Sequence, residues 1–180
     1  MQLYGQKQLA DSIRTVRKNT ILIAEDIPEE QYSYRPSADC RSVAETLTHI
    51  AVVSRLDRVL HQEEHVQTLE GFDFGKLIKR SEVEEKKSQS KAEIIEWLRA
   101  SGETWAQWVE GVPEEVLAEQ VRQPGGKSKT RFEMILGTKE HEMHHRAQLT
   151  VVERLLAIVP HLTETVWPRA DADAVACAVG

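Results

Sequence analysis

The chain has 180 residues, 23 Lys and Arg against 29 Asp and Glu, and a formal net charge of −6. Its 41% apolar and 29% charged residues are ordinary globular usage, which excludes disordered, collagen-like and rod-like chains, and the acidic balance excludes nucleic-acid backbone binding as the main task. Seven His and two Cys restrict any metal site to nitrogen and oxygen ligands, and only 9 Gly and 6 Pro favour long helices over many short strands.

The first predicted helix is drawn by Leu9, Ile13, Val16, Thr20, Ile23 and Ile27, spaced by threes and fours, and ends before Pro28. Three Ser/Thr-x-x-Glu capping boxes mark further starts: Ser42 with Glu45, Ser90 with Glu93, and Thr130 with Glu133. The second helix is expected from about Ser42 toward Glu64. The third runs from about Ser90 to Glu110, with Ile94, Leu98, Ser101, Trp105 and Trp108 on one face. The fourth runs from Thr130 to a stop at Pro160. Trp97, Trp105 and Trp108 are read as packing residues.

The connections at 71–89 and 111–129 are longer than the ~2 to 8 residues usual in bundles. The first is read as a solvated, partly helical linker, and Gly125-Gly126 in the second as a turn. Residues 1–168 are expected to form one domain, followed by a weakly ordered tail at 169–180. The apolar runs are far shorter than the ~18 residues of a membrane span. Met1 to Gly5 lacks a basic segment leading into an apolar one, so the expected compartment is the cytoplasm, with Cys40 and Cys177 reduced.

The chemistry concentrates in Lys139-Glu140-His141-Glu142-Met143-His144-His145-Arg146-Ala147-Gln148. On a helix, His141 and His145 project about 40° apart and one turn apart, so both imidazoles can reach one metal ion. They share a predicted inward seam with Met134, Thr138, Gln148, Val152, Leu155 and Val159, which leaves Lys139, Glu142, Arg146 and Glu153 facing solvent. A third ligand must come from another helix, and His49, on one face with Glu45, Val52, Val53, Leu56 and Leu60, is the best candidate. The alternative for each is a hydrogen-bonded packing histidine. His61 and His65 fall on another face and are read as surface residues, His144 as a group bordering the site, and His161 as a bystander.

The segments Ser42-Val43-Ala44-Glu45-Thr46-Leu47-Thr48-His49-Ile50 and His141-Glu142-Met143-His144-His145-Arg146-Ala147-Gln148 resemble the DinB-like metal-binding four-helix-bundle superfamily. Gln31 to Pro36 and Thr130 to Glu133 are also similar to it, and the likeness spans roughly Gln8 to Pro160. The resemblance implies an all-α four-helix bundle, a mirror variant of the up-and-down topology with long loops. It also implies a divalent metal on His49, His141 and His145, with zinc or nickel ahead of Fe, Mn or Cu. Ala147 stands where the family's Arg-Gly-Gln version has Gly, which alters the space beside the site. The activity implied is that of a thiol-activating S-transferase with a low-molecular-weight thiol as cosubstrate. A metal-dependent hydrolase activating water, and a non-catalytic metal-binding stress protein, are the alternatives. Gln148 and His144 are candidate orienting or substrate-contacting residues, small molecules the expected partners, and a homodimer the implied assembly.

Overall fold

The structure is a computed structural model that describes residues 4–73, 75–76, 79, 82–83, 89–161 and 163. The tail expected at 169–180, Cys177 and much of the linker before Gln89 lie outside the described residues.

Four long helices carry the fold: α1 (Gln6–Asp26), α2 (Val43–Arg58), α3 (Lys91–Glu110) and, after a short α4 (Glu114–Leu117), α5 (Arg131–Leu155). All three capping boxes are formed. Ser42, Ser90 and Thr130 accept the N–H of Glu45, Glu93 and Glu133, and each glutamate accepts the N–H of its cap in return. The α1 seam is buried throughout, from Leu9 to Ile27. α3 and α5 each pack against both α1 and α2, so α1 and α2 occupy one diagonal of the bundle and α3 and α5 the other. The connections before α2 and before α5 each cross a diagonal.

The connection before α5 contains a β-hairpin that the sequence reading did not contain. β1 (Gln120–Arg122) pairs antiparallel with β2 (Ser128–Thr130), and Gly125 and Gly126 turn between them at φ of 84° and 80°, where a side chain is strained. Thr130 ends β2 and caps α5, so the strand aims the helix. Apolar burial divides into two clusters. One holds Ile23, Leu47, Ile50, Leu98, Leu149 and neighbours; the other holds Leu9, Ile13, Trp105, Val109, Ile135 and neighbours.

The α5 helix stops at Leu155, five residues short of Pro160. Ala157 adopts a left-handed φ of 61°. Its N–H bonds to Arg154 O at 3.1 Å, and the Ile158 N–H reaches Glu153 O at 2.8 Å. This is the Schellman closure usually built on glycine, and an alanine there gives no sequence signal.

The α5 helix is also rotated from the predicted seam. Its buried residues include Ile135, Glu142, His145, Leu149, Val152 and Glu153, while Gln148 and Leu155 are exposed and His141 is half-buried. Glu142 and Glu153, predicted to face solvent, are therefore inside. Among the described residues both carboxylate oxygens of Glu153 lack a hydrogen-bond partner. Burial, with the charge of Asp26, pushes this carboxyl up to about 7.

Two expectations follow. Replacing Ala157 with Gly removes the left-handed penalty and should raise stability by about 0.5–1 kcal/mol in chemical denaturation, where no gain would contradict the cap. Glu153 is held protonated in the folded chain up to about pH 7, against an ordinary value of 4.5. Its contribution is full below about pH 4.5 and is lost as pH rises through about 7, a loss on the order of 3 kcal/mol. Denaturation curves of Glu153→Gln should lack that part of the pH slope and show the larger stability at pH 8.

Candidate metal centre

His49 projects from the second turn of α2, and His141 and His145 stand one turn apart on α5. The α2 and α5 helices are packed neighbours, and the three rings meet between them. His141 Nε2 lies 3.3 Å from His49 Nε2 and 3.1 Å from His145 Nε2. The ring centroids are 4.5 to 5.1 Å apart, and one nitrogen from each residue falls within 4.8 Å of the other two. Sequence spacing predicted the α5 pair, and the structure brings His49 to it.

The site sits at the edge of the core. His145 is 8% exposed, while His49 and His141 are half-buried. His145 Nδ1 lies 2.9 Å from Gln148 Oε1, and Gln148 Nε2 lies 3.1 Å from His144 Nε2. The amide oxygen can only accept, so His145 donates from Nδ1 and keeps its Nε2 lone pair toward the other rings. His144 is exposed, with its ring 5.3 Å from that of His145. Burial, followed by the charges of His145 and His49, pushes the His141 imidazole down to about 4. Burial also lowers His145, against the Gln148 hydrogen bond. Both rings are therefore neutral near pH 7, with lone pairs available.

This donor set fits a divalent transition metal. A proton on His141 Nε2 could serve only one of its two neighbours, whereas one cation accepts lone pairs from all three rings. Imidazole suits Zn, Ni, Cu and Fe alike.

A cleft of about 920 Å3 opens beside His145. One wall is a flank of α5 that carries the exposed Gln148 and Leu155 and the edge of the buried Leu149. The other is the segment 35–42, closed at its base by Val43 N–H to Tyr34 O (3.1 Å) and Ala44 N–H to Tyr32 O (2.9 Å). Its short excursion between close ends makes it an Ω-loop. Arg35 braces the loop by donating to Cys40 O at 2.7 Å and to Glu45 Oε1 at 2.6 Å. The positive charge of Arg41 reaches both His141 and His145 and disfavours their protonation.

The sequence profile of the DinB superfamily matches residues 12–149. No curated protein sequence matches the chain. Among solved structures it is similar to a DinB-like protein, YjoA, from Bacillus subtilis, with 21% identity, a TM-score of 0.63, and 83% of this chain and 92% of that one covered. It is also similar to YfiT from Bacillus subtilis, described as a probable metal-dependent hydrolase with an unusual four-helix bundle topology. There the identity is 13% and the TM-score 0.67, with 88% and 91% covered.

Two buried polar groups, Glu142 and His61, differ from the sequence expectation. Behind His141, Glu142 is 3% exposed and receives Arg17 Nε at 2.9 Å, Arg17 Nη2 at 3.0 Å and Thr20 Oγ1 at 2.8 Å. Arg17 Nη1 also donates to Leu98 O at 2.6 Å and Ser101 Oγ at 3.0 Å, and Nη2 approaches Ser54 Oγ at 3.5 Å. Four helices thus meet at one ion pair. Gly102 allows it, because a Cβ there would lie 2.5 Å from Arg17 Cγ.

His61, predicted at the surface, is 3% exposed. A π-helical turn at Val59–Glu63 continues α2 and rotates His61 inward against Trp108. Its Nδ1 accepts from Arg131 Nη1 at 3.1 Å, while Nε2 lies 3.5 Å from Asp57 Oδ1. Asp57 also receives Trp105 Nε1–H at 3.0 Å and Thr138 Oγ1–H at 2.9 Å. His65 remains exposed, 2.9 Å from Glu119 Oε2.

Removing one charge of the Arg17–Glu142 pair strands the other in the interior. Glu142→Gln should lower the unfolding free energy by about 3 kcal/mol, read from denaturant midpoints. A loss below about 1 kcal/mol would show that the pair carries little of the packing.

Proposed function

This chain belongs to the DinB superfamily, and we propose that it is a metal-dependent enzyme of the thiol-activating S-transferase type, with His49, His141 and His145 as ligands. The observation that carries the reading is the convergence of three Nε2 atoms at the edge of the core, with His145 lining a cleft and His49 and His141 half-buried. A sealed triad would suit a structural ion, whereas an open one leaves a coordination position for substrate. When bound, a divalent metal supplies Lewis acidity that lowers the pKa of a coordinated thiol or water toward neutrality.

The chain's own groups do the remaining work. Gln148 holds His145 in the tautomer whose Nε2 is a free lone pair, and it links that ring to His144. Leu149 and Val152, packed beside His145, keep one side of the site dry, which strengthens electrostatics within it. The cleft volume of about 920 Å3 is ample for a thiol cosubstrate and an electrophile together, which favours transfer between two small molecules. A second reading, hydrolysis, is favoured by the description of YfiT as a probable metal-dependent hydrolase, since the same open position would serve water. The third is a metal-binding protein without turnover. We place the activity in residues 1–168 as one domain, in the cytoplasm, as a homodimer whose mass is checked by sedimentation. Among the described residues no helix is long and apolar enough to cross a membrane.

Full-length protein purified without an affinity tag should carry close to one divalent ion per chain by elemental analysis, with zinc or nickel expected. His141→Ala and His145→Ala should each abolish occupancy without loss of helical circular dichroism, and Gln148→Ala should weaken metal affinity about 10- to 100-fold. Unchanged occupancy in the histidine variants would sink the site. With cellular thiols and a halo-aromatic electrophile, consumption that requires the thiol marks a transferase. Thiol-independent consumption marks a hydrolase, and none marks the binding protein.

A further inference from the structure

Of the five large apolar side chains exposed among the described residues, three stand on α5: Met143, Val151 and Leu155. The opposite side of the helix packs into the bundle, burying Glu142, His145, Leu149 and Val152. At about 100° per residue, Met143 and Val151 lie roughly 40° to either side of Ala147, which is itself exposed. Glu140 and Arg154, both exposed, lie roughly 20° from the same line, one two turns before Ala147 and the other two turns after it.

This face is complementary to itself. Laid antiparallel with Ala147 against Ala147, two copies bring each residue before the centre opposite the one equally far after it. Glu140 then meets Arg154 of the second copy, and the two-fold symmetry makes the pair twice. A parallel pairing would set Glu140 on Glu140 and Arg154 on Arg154, so charge fixes the direction. Arg154 uses only part of its guanidinium within its own chain, donating to Thr150 O at 3.0 Å and Thr163 Oγ1 at 3.1 Å, and further N–H groups remain. Among the described residues the Glu140 carboxylate has no hydrogen bond or ion pair. The small side chain of Ala147 permits an approach of about 8 Å between helix axes, the close end of helix packing.

We propose that the outer face of α5 docks antiparallel on the same face of a second copy of this chain, centred on Ala147, with Val151 of each copy beside His144 of the other. His144 is joined through Gln148 to His145, so each copy forms part of the border of the other's triad. The contact uses one helix from each copy over about 24 Å, from Lys139 to Leu155, which places it in the small and reversible class of interfaces. Its dissociation constant is therefore expected in the micromolar range. The inference rests on the homodimer proposed above and assigns its interface; metal binding by the triad does not depend on it.

The test is sedimentation of the full-length protein at low ionic strength across micromolar concentrations. Wild type should pass from monomer to dimer. Glu140→Arg and Arg154→Glu should each weaken association about tenfold or more, because each sets like charges opposite one another twice per dimer. Mixed in equal amounts, the two variants should associate as wild type does, since only in the mixed pair does every Arg meet a Glu; that recovery also shows that both are folded. Ala147→Glu should leave a monomer with unchanged helical circular dichroism. A mixture no tighter than its components, or a dimer indifferent to Glu140→Arg and Ala147→Glu, would overturn this interface and leave the homodimer standing. A monomer at every concentration would overturn both, and its dimerisation after removal of residues 164–180 would give the face to the chain's own tail. Metal occupancy, read on the same samples, should be unchanged by the Glu140 and Arg154 variants. Charge-dependent dimers that take up no metal would leave the interface standing and the metal centre failing.

Discussion

The bundle is organised around the ion pair of Arg17 and Glu142. It lies between the two apolar clusters, and its hydrogen bonds reach all four long helices. Two apolar layers alone would tolerate sliding of one helix along another by a turn, because leucine and isoleucine side chains interchange positions with modest loss. A guanidinium fork fitted to a carboxylate does not slide, since a displaced pair leaves two charges without partners in a low-dielectric interior. The pair therefore sets register more than it adds stability. Glu142 is also the neighbour of His141, so the contact that fixes α5 against α1 fixes the height at which its two histidines meet His49.

Much of this was legible in one sequence. The capping boxes name three helix starts because the reciprocal hydrogen bonds involve residues only three apart. The His141–His145 spacing is local for the same reason. The α1 seam is purely apolar, and periodicity reads such a seam well. What failed shares a different cause. Glu142 is a charged residue whose burial depends on a partner 125 positions away, and nothing near it in sequence announces Arg17. Counting it as solvent-facing turned the whole predicted α5 seam and set His141 and Gln148 deeper than they lie. His61 was misplaced because one π-helical turn shifts every later residue around the axis. The end of α5 was missed because Ala157 holds a conformation that sequence signals assign to glycine.

The error about α5 has a chemical side. A triad at the centre of the predicted seam would be enclosed, with only metal-ion storage or structural support open to it. At the flank of the true seam His49 and His141 are half-buried and His145 borders a cleft. Buried polar contacts concentrate in two layers, Arg17–Glu142 at the waist and Asp57–His61–Arg131 toward the hairpin.

The Ω-loop gives this arrangement room to diversify. Residues 35–42 enter and leave through one pair of backbone hydrogen bonds beside Tyr34 and Val43, so the backbone of the loop is anchored at its ends. Closure entropy grows slowly with loop length, about 0.6 kcal/mol per doubling. Insertions or deletions there could reshape one wall of the cleft while Ser42 still starts α2 and His49 still meets its partners. Selectivity and scaffold can then evolve as separate traits, and an engineer could exchange this loop as a cassette without redesigning the helices.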